Sequence, residues 1–173
     1  MNMQTSVREQ LQFWHDTLDQ MLSECDAAAL NRRVEGATIG SIGSIYAHIV
    51  FVEDVLVHGR LRGRTPIYVE GAWEAKTGVA FCGDPPMATP EWSAAVRMDA
   101  APFGAYARTV YAATDAYLAG LADADTVRTV SSPLLGGRTV SWYLSTLIAT
   151  HLPAHAGEIA ALKGLQGLKG LPF

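Results

Sequence analysis

Thr150-His-Leu-Pro-Ala-His-Ala-Gly-Glu-Ile159 places two histidines, His151 and His155, four residues apart inside an apolar segment. On a helix, residues at i and i+4 project from one face about a turn apart. Leu144, Leu147, Ile148 and Leu162 fall on that face, so the pair belongs to an inward stripe. Two imidazoles buried among leucines are costly unless their nitrogens find partners. A metal ion would partner both at once. Glu158 lies on the same face, where it can be a fourth ligand, an acceptor for an imidazole N–H, or a partly exposed residue near the helix end. Pro153 removes one helical N–H and frees the carbonyl of Ala149, which predicts a kink or a re-aimed pair. Leu152 stands where the zinc-protease motif needs its general-base Glu, which excludes peptide hydrolysis by that route.

A second apolar segment carries His48 on one face with Ile45, Phe51, Val52 and Val55. Three of the five histidines therefore point into the presumed core, from two helices able to face each other. The residues alone leave two readings open: a metal site formed by His48, His151 and His155, or three buried histidines bonded to hydroxyls and carbonyls. His15, beside Asp16, and His58, off the His48 stripe, read as ordinary surface or hydrogen-bonded histidines.

The remaining chain supplies the scaffold. Val7, Leu11, Phe13, Trp14, Leu18, Met21 and Leu22 recur at helical spacing over residues 4–22. Gly36 breaks the chain, and Thr38 is a candidate cap for a second helix running to about Leu61. Residues 63–90 mix Gly, Pro and aromatics without a period and read as a long irregular crossover. Its aromatics Tyr68, Trp73 and Phe81, with Trp142, are candidate pocket walls or core residues. Asp99 is a candidate N-cap with Pro102 in the first turn of a third helix ending near Leu121. Residues 127–130 and 138–140, joined through Pro133 and Gly136-Gly137, predict a β-hairpin. Ser141 would open a fourth helix that ends near Gly164. The sum is one all-α domain spanning residues 1–173, a four-helix bundle with a long crossover after helix 2 and a small hairpin before helix 4. The glycines at 164, 167 and 170 follow no strand and make a poor phosphate loop.

Composition narrows the function. The chain has 173 residues, 49% apolar and 17% charged, enough for one core and unlike a disordered chain. A net charge of −4 argues against nucleic acid, which needs a basic face. Arg60, Arg62 and Arg64 read as cations at a helix C-terminus. Cys25 and Cys82 form no disulfide framework. No signal core or uninterrupted apolar run of about eighteen residues is visible, so no membrane is expected and a cytoplasmic setting is the default.

With these residues in place, the chain resembles the DinB-like superfamily, also called the YfiT-like metalloproteins. The resemblance is carried by Gly40-Ser-Ile-Gly-Ser-Ile-Tyr-Ala-His48, by the Gly136-Gly137-Arg138-Thr139-Val140-Ser141 hairpin, and by His151-x3-His155-Ala-Gly-Glu158. It implies a four-helix fold, a metal held by His48, His151 and His155, and a homodimer. It also implies relatives that use low-molecular-weight thiols, among them mycothiol-dependent maleylpyruvate isomerase and S-transferases. The sequence ends soon after the fourth helix, so that isomerase's additional C-terminal domain, and with it that particular reaction, is not expected. The function expected is a transferase or isomerase acting on a small-molecule substrate, with a mycothiol-like thiol as metal-bound nucleophile. Alternatives are a hydrolase using metal-bound water and a non-catalytic or stress-associated metal-binding protein. Imidazole suits zinc, nickel, copper and iron alike, so availability decides among them; zinc or nickel is expected first, with iron or manganese as alternatives.

Overall fold

The computed structural model describes residues 3–173, apart from the side chains of Ile148 and Ala149. The expected place of Ile148 on the His151 face thus lies outside the described residues. Four long helical rods surround one core. The first, α1 (Met3–Ser23), is followed by a short α2 (Ala27–Asn31), whose N-cap Asp26 accepts the Ala29 N–H at 2.7 Å. The second rod, α3 (Ile42–Glu53), continues as a π-helical segment, Asp54–Leu61. Its N-cap is Ser41, whose hydroxyl accepts the Ser44 N–H, and not Thr38. By length and composition Ile42–Leu61 would span a membrane, yet 78% of that window is buried within the bundle, as befits a core helix.

The crossover holds more regular structure than its composition announces. It contains α4 (Ile67–Glu70) and α5 (Trp73–Thr77), and α6 (Pro90–Ala95) follows directly. These elements are too short to show a period, so their conformation is set by anchors. The buried Asp54 carboxylate accepts the Ile67 and Tyr68 backbone N–H groups at 2.8 and 2.9 Å and the Tyr106 hydroxyl at 2.8 Å. Burial pushes its pKa up, and the two backbone N–H groups and Tyr106 pull it back. The Tyr68 ring then packs edge-on against Phe51, which also meets Phe81, Phe103 and Tyr106. Aromatic pairs in these tilted arrangements add to the burial of their area.

The third rod, α7 (Ala100–Ala119), begins at Asp99, whose side chain accepts the Ala101 N–H. It packs on α1, where Arg8 and Asp115 form a bidentate pair at 2.7 and 2.9 Å. A short α8 (Asp123–Thr126) leads to strands β1 (Thr129–Ser132) and β2 (Gly136–Thr139), antiparallel with Thr129 opposite Thr139. Val127 and Val140 fall outside the strands. The fourth rod comprises α9 (Val140–Thr146), a π-helical stretch (Leu147–His151) and α10 (Leu152–Leu165). Its cap is Thr139, two residues before the expected Ser141.

Candidate metal centre

Two of the three histidines owe their position to a local irregularity. Pro153 has no N–H to offer the Ala149 carbonyl, so regular α-helical pairing cannot continue through it. Just upstream the Leu152 N–H reaches back to the Leu147 carbonyl, five residues away, which widens the turn. Such π-turns recur at functional sites because they rotate the side chains that follow. Here the rotation falls between Leu147 and His151, and α10 then packs His151 and His155 against α3.

His48, His151 and His155 converge, each half-buried, with one nitrogen per ring lying within 4.8 Å of the others. Ring centroids are 5.1 Å apart for His48 and His151, 5.0 Å for His48 and His155, and 4.6 Å for His151 and His155. The Nε2 atoms of His48 and His151 stand 3.2 Å apart. Metal–imidazole bonds of about 2.0–2.1 Å in a tetrahedral arrangement put neighbouring nitrogens about 3.3 Å apart, so this pair already has the spacing of two ligands to one cation.

Protonation agrees. Burial, and then the neighbouring imidazole of His155, pushes His48 down to about 4. Burial, with His155 and His48 adding to it, pushes His151 down to about 3. Both rings are neutral at pH 7, the form that binds metal. Their Nδ1 atoms are buried without a hydrogen-bond partner among the described residues, so neither ring is fixed by the hydroxyls and carbonyls of the non-metal reading. The donor set and its spacing therefore fit a divalent cation.

Glu158 is bonded to the third ring. Its Oε2 lies 2.6 Å from His155 Nδ1, one helical turn back, which leaves Nε2 as the atom free to coordinate. It is not among the three residues that converge. An acceptor on the far nitrogen fixes ring orientation and raises ligand basicity. Glu158→Gln is therefore expected to weaken metal binding about 10–100-fold, with the fold intact because the residue is partly exposed. Competition against a chromogenic chelator measures it, and an unchanged affinity would assign Glu158 to the surface alone.

A cavity of about 650 Å³ opens beside the triad. Val52, Val55 and Leu56 of the second rod and Tyr143, Leu147 and Thr150 of the fourth form its sides. Residues 84–88 of the crossover and Ser132, Leu134 and Leu135 of the hairpin complete it. The aromatics considered from sequence do not line it. Tyr68 and Phe81 stack in the core, Trp73 packs on Tyr106 with Lys76 over its ring, and Trp142 lies at the surface beneath Arg138. Arg60 does line it, paired with Asp84, so it is more than a helix-terminal cation.

The other two histidines are buried. His15 Nε2 lies 2.8 Å from Glu53 Oε2 and its ring stacks on Tyr111 at 3.6 Å. His58 Nδ1 accepts from the Arg62 guanidinium at 2.7 Å. Burial, then Arg62, holds His58 down at about 4. Both sit apart from the triad and serve packing between rods. Nothing in their spacing distinguished a surface site from a buried one.

Comparison with known proteins agrees with this fold. The family model of the DinB superfamily matches residues 10–159. A conserved protein from Enterococcus faecalis superposes with a TM-score of 0.82 at 19% identity, over 95% of this chain and 97% of that one. A DinB-like protein from Bacillus cereus superposes with a TM-score of 0.54 at 21% identity, over 93% of each chain. Among curated proteins, none matches the chain significantly.

Proposed function

The chain belongs to the DinB superfamily, and from that premise we propose a metal-dependent transferase or isomerase that uses a small thiol as nucleophile. The observation that carries this reading is the convergence of three imidazoles, two of them held neutral, at the edge of a cavity large enough for a small molecule. Three protein ligands leave a cation with open positions, as catalytic sites require. A divalent cation there would act as a Lewis acid that lowers the pKa of a thiol or water brought to it. An all-imidazole set suits zinc, nickel, copper and iron alike, and zinc or nickel is proposed first, with iron or manganese as alternatives.

The cavity wall favours a thiol over water. Its carboxylate, Asp84, is tied to Arg60, and the nearby Glu158 is tied to His155. No free general base faces the cavity among the described residues. Coordination can bring a bound water to a pKa of about 7 but deprotonates a bound thiol outright, so the thiol needs the least further help. The hydrolase reading is accordingly the weaker one. The two free cysteines suit a reducing, cytoplasmic setting, and a homodimer is proposed with it.

The test mixes the metal-loaded protein with cysteamine and a chloro-dinitroarene and follows the conjugate by absorbance. Conjugation is expected with metal, and loss to the uncatalysed rate after chelation or in His48→Ala. No conjugation with any of zinc, nickel, iron or manganese would remove the thiol-transfer reading.

A further inference from the structure

The cavity beside the triad is built for hydrocarbon. Its charges cancel, because the Arg60 guanidinium is closed on the Asp84 carboxylate. Its hydroxyls are mostly engaged. Tyr143 donates to the Gly136 carbonyl at 2.9 Å, and Thr150 donates to the Thr146 carbonyl at 2.6 Å. Ser132 Oγ accepts the Leu134 and Leu135 N–H groups at 3.2 and 3.3 Å. No unopposed charge therefore faces the space among the described residues, and the three histidines are its concentrated polar feature.

The rim adds an independent observation. Leu134 and Leu135, at the tip of the hairpin, are 60% and 41% exposed, and Met87, in the crossover, is 51% exposed. Three large apolar side chains from two separate loops thus surround one opening. Exposed apolar groups scattered singly are ordinary, but a cluster at a cavity mouth marks a binding surface. A ligand carrying a carboxylate or phosphate would shed its hydration here with no free cation of the protein to replace it, which is strongly unfavourable.

We propose that this cavity takes an uncharged, largely hydrocarbon small molecule, its polar end toward the histidines and its apolar body gripped by Leu134, Leu135 and Met87. This names the class of the electrophilic partner in the proposed reaction, and rests on that reading for the chemistry but not for the binding. Apart from the cation the triad would hold, the cavity selects its ligand through apolar contact and the absence of a free charge.

Two naphthalene dyes test it, neutral prodan and anionic anilinonaphthalene sulfonate, titrated by fluorescence against the full chain as purified and after chelation. Prodan is expected to bind one per chain in both forms, and at least about tenfold more tightly than the sulfonate in the chelated form. Leu134→Asp with Leu135→Asp should weaken prodan about tenfold or more, since it sets charge against the apolar body. Both positions are exposed, so the fold is spared, and circular dichroism checks this. Leu165→Asp, exposed but outside the cavity, should leave binding unchanged. Equal binding of the two dyes, no binding of prodan, or indifference to the rim substitutions would each overturn the proposal. Prodan binding by a protein that takes up no metal would uphold it while defeating the metal reading. Metal uptake without prodan binding would do the reverse.

Discussion

His151→Ala is expected to lower metal affinity by at least about 100-fold, the upper end of what losing a mere supporting hydrogen bond to a ligand costs. The protein as purified should carry close to one cation per chain, and the variant little after desalting. His48→Ala should behave alike, because the two Nε2 atoms at 3.2 Å form one edge of the ligand set. Elemental analysis by mass spectrometry gives the stoichiometry. The metal-free thermal midpoint makes the result specific. The buried Nδ1 of His151 has no partner among the described residues, so its removal discards an unsatisfied polar atom along with some packing. The chelated variant should therefore melt within a few degrees of the chelated parent. Unchanged metal content in both variants would eliminate the triad as a metal site. A collapse of the metal-free midpoint would assign His151 to the core instead.

Asp54→Ala is expected to destabilise the chain by about 3–5 kcal/mol, the cost of leaving three buried neutral donors unpaired less the relief of no longer burying a carboxylate. The substitution leaves the Ile67 and Tyr68 N–H groups and the Tyr106 hydroxyl without their acceptor. Each buried donor left unpaired costs about 1–3 kcal/mol. Asp54→Asn keeps an acceptor oxygen and should lose less. Urea unfolding at neutral pH measures both, read from the shift in midpoint with the slope unchanged. A loss below about 1 kcal/mol for Asp54→Ala would show that the crossover is held by its aromatic packing alone. The same substitution should also loosen the cavity, because the crossover that Asp54 anchors supplies residues 84–88 to its wall.

Much of the fold was legible because it depends on periodicity and caps, which are local. The apolar spacing from Val7 to Leu22 marked α1 nearly to its ends, and Asp99 with Pro102 marked the start of α7. Where several hydroxyl residues crowd a helix start, composition could not choose among them. Ser41 caps in place of Thr38, and Thr139 in place of Ser141, because the cap is the residue whose backbone turns extended at that point. The short helices α4 and α5 escaped notice for a different reason. Segments of four and five residues hold no period, and the anchor of α4, Asp54, lies more than ten residues earlier in the chain.

The site divides the same way. That His151 and His155 share a helix face and that His48 lies on another apolar stripe follow from spacing alone, since a helix repeats every 3.6 residues whatever surrounds it. Family resemblance then named the three together. What the sequence by itself could not decide was their approach: His48 reaches His151 across 103 residues, and only two rods packed side by side close that gap. The widened turn lies directly before Pro153, in the segment that ends at His151. Nor could it decide which residues face the triad. Trp142 and Trp73, readable from sequence as pocket or core, lie away from the opening, while Arg60, Met87, Leu134 and Leu135 surround it. Loop side chains carry no periodic mark of direction, so their destination is settled by where the crossover and hairpin are fastened to the bundle. The three candidate ligands are written in its helices, and its cavity is made by the tertiary placement of its loops.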